Sequence, residues 1–220
     1  MTELFDINIK STSKFLSYNL SNFKWEDSNK AVKNLIQFSD FGVLVESINE
    51  NLIDILPEYY SYRFANKINK SKGTTIYFNN LKYDILDQFC FLILKNYPHI
   101  ILGVILKDKL TNKKFVVIGI QLESGNKKHE IREIQTGIVI NKISKYINED
   151  IPIIIASEYN CSYCNECNSS KIFEQNKYKK ISISNNITSN NFCSIFIKGD
   201  IESNSKNNFY NQEFNYELLI

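Results

Sequence analysis

The chain has 220 residues, 43% hydrophobic and 23% charged, which is ordinary for a soluble globular protein and long enough for one well-buried core, or by length alone for two small domains. With a net charge of only +2, bulk electrostatics do not announce a nucleic-acid binder. The N-terminal MTELFDINIKSTSKF has no apolar leader, and no stretch approaches the ~20 apolar residues that span a bilayer, so a cytoplasmic protein without membrane contact is expected, the nucleus being the alternative.

Five cysteines, an odd number, read as thiols or metal ligands rather than as a disulfide framework. Arg63 and Arg132 are the only arginines, which argues against a surface built for bidentate phosphate contacts. Lysines cluster at Lys67, Lys70 and Lys72 and at Lys177, Lys179 and Lys180; each cluster reads first as a solvated loop.

Lys14–Leu20 (KFLSYNL) reads as a strand, and Ser28–Phe38 as a helix with Ala31, Val32, Leu35 and Ile36 on one face. Phe41–Glu46 (FGVLVE) is a buried strand, and Ile48–Leu56 a short helix stopped by Pro57. Thr74–Phe78 follows Gly73 as another strand. Tyr83–Leu94, Ile100–Leu106 and Lys114–Gln121 form a meander, the last two joined by the turn DKLTNK. Glu130–Ile147 is a helix with Ile134, Ile138, Ile143 and Ile147 along one stripe and Ile140 less well placed. Ile151–Ala156 (IPIIIA) suits a strand covered on both faces, and Phe192–Ile197 (FCSIFI) is the last clear strand. The segment from Gly199 to Ile220 is rich in Asn and Ser before a final EFNYELLI. Strands in hairpin series with helices between some of them point to an α/β or α+β sandwich in one domain.

Polar residues close the strands in an ordered succession. LSYNL ends near Asn19, DFGVLVE ends on Glu46, and GTTIYF follows the lysine-rich loop. VVIGIQL carries Gln121 and precedes a helix with Arg132-Glu-Ile-Gln135, and IIIASEYN carries Glu158 and Asn160. In this order the motifs resemble the endonuclease/exonuclease/phosphatase superfamily, and most of all its CCR4–nocturnin deadenylase branch, from Phe15 to Asn160. That branch shows an S-Y-N strand, a strand ending in Q-E, a D-G-x-x-x-F strand, a T-H-L strand, an R-x-x-Q helix and a G-D-F-N strand. Each motif alone is weak, and the ordered set carries the likeness.

The resemblance implies an α/β fold, a four-layer α-β-β-α sandwich of two packed sheets with outer helices, and a site at one end of the sheets. It assigns residues 1–198 to one degenerate domain of this type and 199–220 to a polar C-terminal tail. It also implies Mg²⁺-dependent cleavage of phosphoesters, with Glu46 as metal ligand, Asn19 supporting metal or phosphate, and Asn160 polarising the phosphate.

The departures from the pattern are extensive. Gln121 stands where the family has a histidine, Glu158 where it has an aspartate, Val45 for a glutamine and Lys72 for an aspartate. The family's closing S-D-H signature has no counterpart, because no histidine follows Asn160; His99 and His129 lie at unmatched positions and read as surface or loop residues. A catalytic unit that loses one member loses orders of magnitude in rate. No catalysis is therefore expected from Asn19, Glu46, Gln121, Glu158 and Asn160, with Glu46 a vestigial Mg²⁺ ligand and Mg²⁺ not expected as a cofactor.

Cys161, Cys164 and Cys167 form C-x-x-C-x-x-C after Asn160. Three thiolates at this spacing can wrap one structural Zn²⁺, with Cys193 the best-placed fourth ligand. A reduced polar loop is the alternative and the stronger of the two, since paired C-x-x-C knuckles are the firmer signal. These readings favour a binding or regulatory factor for RNA or a ribonucleoprotein such as the ribosome, in a silencing or dormancy role, without a small-molecule substrate. An active Mg²⁺-dependent phosphodiesterase or poly(A) exonuclease, and a protein-interaction module without nucleic-acid contact, stand as alternatives.

Overall fold

Short runs of β-branched and aromatic residues become strands because such side chains pack well on a pleated, buried surface. A computed structural model describes residues 12–20, 25–68, 70–125, 128–147, 150–158, 168–181, 193–199, 202–205 and 214–219. The first half of the chain gives β1 (Thr12–Asn19), α1 (Trp25–Gln37), β2 (Phe41–Ile48), α2 (Asn49–Ile55), β3 (Tyr60–Asn66) and β4 (Lys72–Asn79). The second gives β5 (Tyr83–Leu92), β6 (Ile100–Asp108), β7 (Lys114–Gln121), α3 (His129–Tyr146), β8 (Ile153–Glu158), α4 (Ser169–Gln175), β9 (Lys179–Ile181), β10 (Cys193–Lys198), β11 (Glu202–Ser205) and β12 (Phe214–Leu219).

These strands form two six-stranded sheets, ordered β11-β12-β1-β2-β4-β3 and β5-β6-β7-β8-β10-β9. The β1–β2 and β7–β8 pairs are parallel and the rest antiparallel. A parallel pair needs a crossover, and α1 and α3 supply one for each sheet. The inner faces meet around Phe41, whose ring lies 5.3 Å from Phe15, 5.5 Å from Tyr83 and 5.2 Å from Phe115. Each such fully buried ring stabilises the fold by roughly 1.5–3 kcal/mol. Val32, Ile36, Leu52 and Ile55 cover Leu16, Leu44 and Tyr77 on the outside of the first sheet. Val139, Ile143 and Phe173 cover Ile118, Ile155 and Phe196 on the outside of the second. The result is the four-layer α-β-β-α sandwich, as one domain. Among the described residues no helix is long and apolar enough to cross a membrane.

The structure differs from the sequence expectation in several places, among them α4 and β9, which lie in a stretch where no element was expected. The edge strand β3 was not anticipated; its side chains are mostly half-buried, which leaves little alternation to read. The stripe expected on α3 is rotated: Ile134 is 56% exposed, while Arg132, Gln135 and Thr136 are buried with Val139, Ile140 and Ile143. The first turns of this helix cover a polar loop rather than an apolar sheet. Finally, the segment set apart as a polar tail contributes β11 and β12 to the first sheet, with β12 paired antiparallel along β1 from Thr12↔Leu219 to Ser17↔Phe214. Backbone pairing decides membership of a sheet, so polar composition around residue 199 marks no domain boundary.

One glycine sets the distance between the sheets near their functional end. A Cβ on Gly119 of β7 would lie 2.6 Å from Thr74 Cγ2 and 2.8 Å from Val43 Cγ1, both on the opposite sheet. Val43 and Thr74 are β-branched and buried, so they have few rotamers with which to retreat. Gly119→Ala should therefore destabilise the protein by about 1–3 kcal/mol in urea denaturation. Gly137→Ala, on an exposed helical position with open space around it, should instead stabilise by roughly 0.5–1 kcal/mol. Equal effects at the two positions would show that sheet approach at Gly119 is not the constraint.

Candidate functional site

The two parallel strand pairs end on the same side of the sandwich. Asn19 closes β1, Gln121 closes β7, Glu158 closes β8, and Glu46 lies near the end of β2. Carboxyl ends of parallel strands are where α/β sheets commonly gather polar groups. Gln121 and Glu158 are direct neighbours in the β7–β8 register.

Glu46 reaches the cluster through a backbone irregularity. The β2–β4 register shifts between Val45 and Ser47, and Glu46 itself has φ 58°. A bulge of this kind re-aims one side chain, and the left-handed conformation costs a non-glycine residue about 1–2 kcal/mol. Ser47 Oγ, 2.7 Å from Thr75 Oγ1 and donating to Gly73 O at 3.3 Å, ties the irregular strand to β4. Val45, one residue earlier, points into the inter-sheet core, which explains an apolar residue in the family's glutamine position.

The side chains then join across the sheets. Gln121 Nε2 donates to Glu46 Oε1 and to Glu158 Oε2, both at 2.6 Å. Asn19 Nδ2 donates to Glu158 Oε1. Lys67, just past β3, places its ammonium on Glu46 Oε1 as a partly buried ion pair. Gln121 and Glu158 are 7% and 4% exposed. Burial, and then the negative charge of Glu46, pushes the Glu158 carboxyl up to about 7, against the charge of Lys67 and the hydrogen bonds from Gln121 and Asn19. Burial also acts upward on Glu46, but the hydrogen bonds from Lys67 and Gln121 and the charges of Lys67 and Lys72 outweigh it and hold that carboxyl below its ordinary value.

A cavity of about 570 Å³ opens beside Glu46, lined among others by Lys67, Lys70, Lys72, Tyr97 and His99. The lysine loop is part of its wall: Ile68 N donates to Pro98 O, and Lys67 N to Lys72 O, each at 3.2 Å. His99, read above as a surface or loop residue, is 7% exposed. Its Nε2 donates to Glu123 Oε2 at 2.9 Å, and burial pushes the imidazolium down, against the hydrogen bond to Glu123. The Arg132-Glu-Ile-Gln135 motif fixes this loop from behind. Gln135 Oε1 accepts from Glu123 N at 2.8 Å, and Arg132 Nη1 donates to Glu123 O at 3.2 Å and Gly125 O at 2.8 Å. Arg132 Nη2 also donates to His129 Nδ1 at 2.8 Å.

Sequence reasoning thus missed Lys67, His99 and Glu123 as members of the site. The β6–β7 register was the available signal: Ile101 faces Ile120, so His99 had to fall level with the end of β7. For Lys67 no local signal existed. Asn160, Cys161, Cys164 and Cys167 lie outside the described residues, and Cys193 starts β10 with its backbone opposite Glu158.

No protein-family model matches the sequence, and no curated protein does. Solved structures match closely in shape. A mannosyl-6-phosphatase of Bacteroides thetaiotaomicron superposes with a TM-score of 0.76 at 15% identity, over 94% of this chain and 98% of that one. An endonuclease/exonuclease/phosphatase family protein of the same organism gives 0.75 at 15% identity, over 96% and 98%. The human nocturnin catalytic domain with bound sulfate gives 0.75 at 13% identity, over 94% and 92%. These likenesses establish the endonuclease/exonuclease/phosphatase fold.

The Glu158 carboxyl carries a pH signature. With its folded value raised from 4.5 to about 7, the folded state binds more protons than the unfolded state between these limits, so stability falls as pH rises through that window. Relative to Glu158→Gln, the wild type should lose up to about 3 kcal/mol between pH 4.5 and pH 7.5. Urea denaturation across that range checks it, and parallel pH profiles for the two proteins would contradict it.

Proposed function

We propose that this chain is a catalytically silent protein on a phosphoesterase fold that binds RNA or a ribonucleoprotein through its inherited cleft. The observation that carries this reading is the position of Gln121. Its neutral amide spends both Nε2 hydrogens on the two carboxylates, where hydrolysis of a phosphodiester calls for a cation or a proton donor facing the phosphoryl oxygens. Glu158 accepts from Asn19 and Gln121, and Glu46 from Lys67 and Gln121. Both oxygens of Glu158 and Oε1 of Glu46 are thus engaged by donors within the cluster.

The His99–Glu123 pair does not replace the missing base. Nε2 of His99 is committed to Glu123, and Nδ1 is buried without a hydrogen-bond partner among the described residues. The resemblance also implies Mg²⁺, which needs oxygen lone pairs at about 2.0–2.1 Å. The residues present do not fit that ion: Oε1 of Glu46 already accepts from an ammonium and an amide, and a second cation at this carboxylate would face the charge of Lys67.

Binding is supported by what lines the cavity. Lys67, Lys70 and Lys72 bring positive charge beside a half-buried Tyr97, the combination of backbone attraction and base stacking used for single-stranded nucleic acid. The fold neighbours include a protein described as a phosphatase and one solved with bound sulfate, both consistent with a cleft shaped for a tetrahedral anion.

Fluorescence anisotropy with a short single-stranded RNA should show affinity that falls steeply with salt. Replacing Lys70 and Lys72 by Ala should weaken binding and flatten the log–log salt slope by about 0.7 per lost phosphate contact. Hydrolysis of RNA, poly(A) or small phosphodiesters with Mg²⁺ or Mn²⁺ should stay at background. Metal-dependent turnover that Glu46→Ala abolishes would restore the phosphodiesterase, and salt-insensitive absence of RNA binding would favour a protein partner.

A further inference from the structure

We propose that Lys67 is a resident counter-ion whose ammonium takes the place of a divalent cation between the sheets, so that the cleft is complete without metal. The inference deepens the reading of a catalytically silent cleft and rests on it.

Four observations converge on this lysine. Its side chain is only 11% exposed and that of Glu46 15%, although ordering a long flexible lysine costs more conformational entropy than ordering almost any other residue. Its position is specified by backbone hydrogen bonds, with Lys67 N on Lys72 O and Ile68 N on Pro98 O. The carboxylate it meets is brought there by a bulge and a left-handed backbone conformation at Glu46. Finally, its ammonium meets Glu46 where the Gln121 amide links that carboxylate to Glu158, so positive charge stands beside the paired carboxylates. A divalent ion between paired carboxylates would supply charge at the same place.

Charge sets the two cations against each other. Oε1 of Glu46 already accepts from Lys67 Nζ and Gln121 Nε2, so an ion could reach that oxygen only by displacing the ammonium, and an ion on the other carboxylate oxygen would lie against its charge. Once the ammonium is gone, Glu46 and Glu158 oppose each other with the neutral amide of Gln121 between them, and of the two lysine charges that act on Glu46 only that of Lys72 is left. A metal-independent cleft would thereby become a metal-demanding one.

The test is Mn²⁺ titration of the full chain by calorimetry and electron paramagnetic resonance, with melting temperature read in Mn²⁺ and in EDTA. Wild type should bind no Mn²⁺ in the cleft and melt at the same temperature in both media. Lys67→Met, which keeps the stem and removes the charge, should gain roughly tenfold or more in Mn²⁺ affinity and melt higher in Mn²⁺ than in EDTA. Adding Glu46→Gln to that variant should abolish both gains. Lys67→Arg should fold and stay blind to Mn²⁺. Wild-type Mn²⁺ binding that Glu46→Gln removes would overturn the proposal, as would a folded Lys67→Met with no gain in affinity. If Lys67→Met folds only when Mn²⁺ is added, the proposal is supported; if it folds in neither medium, wild type and Lys67→Arg decide, blindness of both supporting the proposal and binding by either overturning it. Metal-blind wild type that nevertheless hydrolyses RNA would overturn the silent-cleft reading while leaving the role of Lys67 standing. Glu46-dependent Mn²⁺ binding without turnover would do the reverse.

Discussion

Two carboxylates, one from each sheet, one buried and one partly buried, lie within reach of a single amide, and the architecture of this end of the molecule follows from that constraint. Like charges in a desolvated site repel strongly and also forfeit hydration. Here the difficulty is divided among several groups. Gln121 bonds to both carboxylates, Lys67 neutralises Glu46, Asn19 bonds to Glu158, and Glu158 holds its proton to about pH 7. Removing any one of these shifts the load to the others, so their effects on stability should not be additive.

The fold supplies the distances that make this sharing workable. Gly119 lets β7 approach Val43 and Thr74, and two residues later Gln121 reaches Glu46 on the opposite sheet. The irregularity at Glu46 turns its side chain toward the second sheet. Behind the cluster, Arg132 and Gln135 hold the loop that carries Glu123, and Glu123 holds His99 in the cavity wall. The polar N-terminal half of α3 is thereby explained: those buried groups replace the apolar contacts that the rest of the helix makes.

Phosphoesterase chemistry and phosphate binding draw on overlapping residues but make different demands. Turnover requires groups that change protonation or gather developing charge at the right moment. Binding requires only cations and a surface of the right shape. The cleft described here retains lysines and an aromatic ring beside a closed hydrogen-bond cluster, and the proposed function follows from that division.

Much of this protein was legible before any tertiary contact was known. Alternation and apolar runs are local properties, so the principal strands, α1 and α2 could be read from them, and the ordered polar residues at strand ends pointed to the sandwich and to Asn19, Glu46, Gln121 and Glu158. Long-range distance was not legible. Lys67 looked like one of several loop lysines, because nothing near it in sequence announces Glu46, 21 residues away. His99 and Glu123 became partners only through the register of a hairpin, and α3 turned its polar face inward only because a loop was waiting beneath it. The Asn- and Ser-rich stretch that leads to the last strand suggests solvent, yet backbone pairing with β1 draws β12 into the sheet. Side-chain pattern is written residue by residue in the sequence; which backbones pair and which charges meet is settled only when the two sheets close on each other.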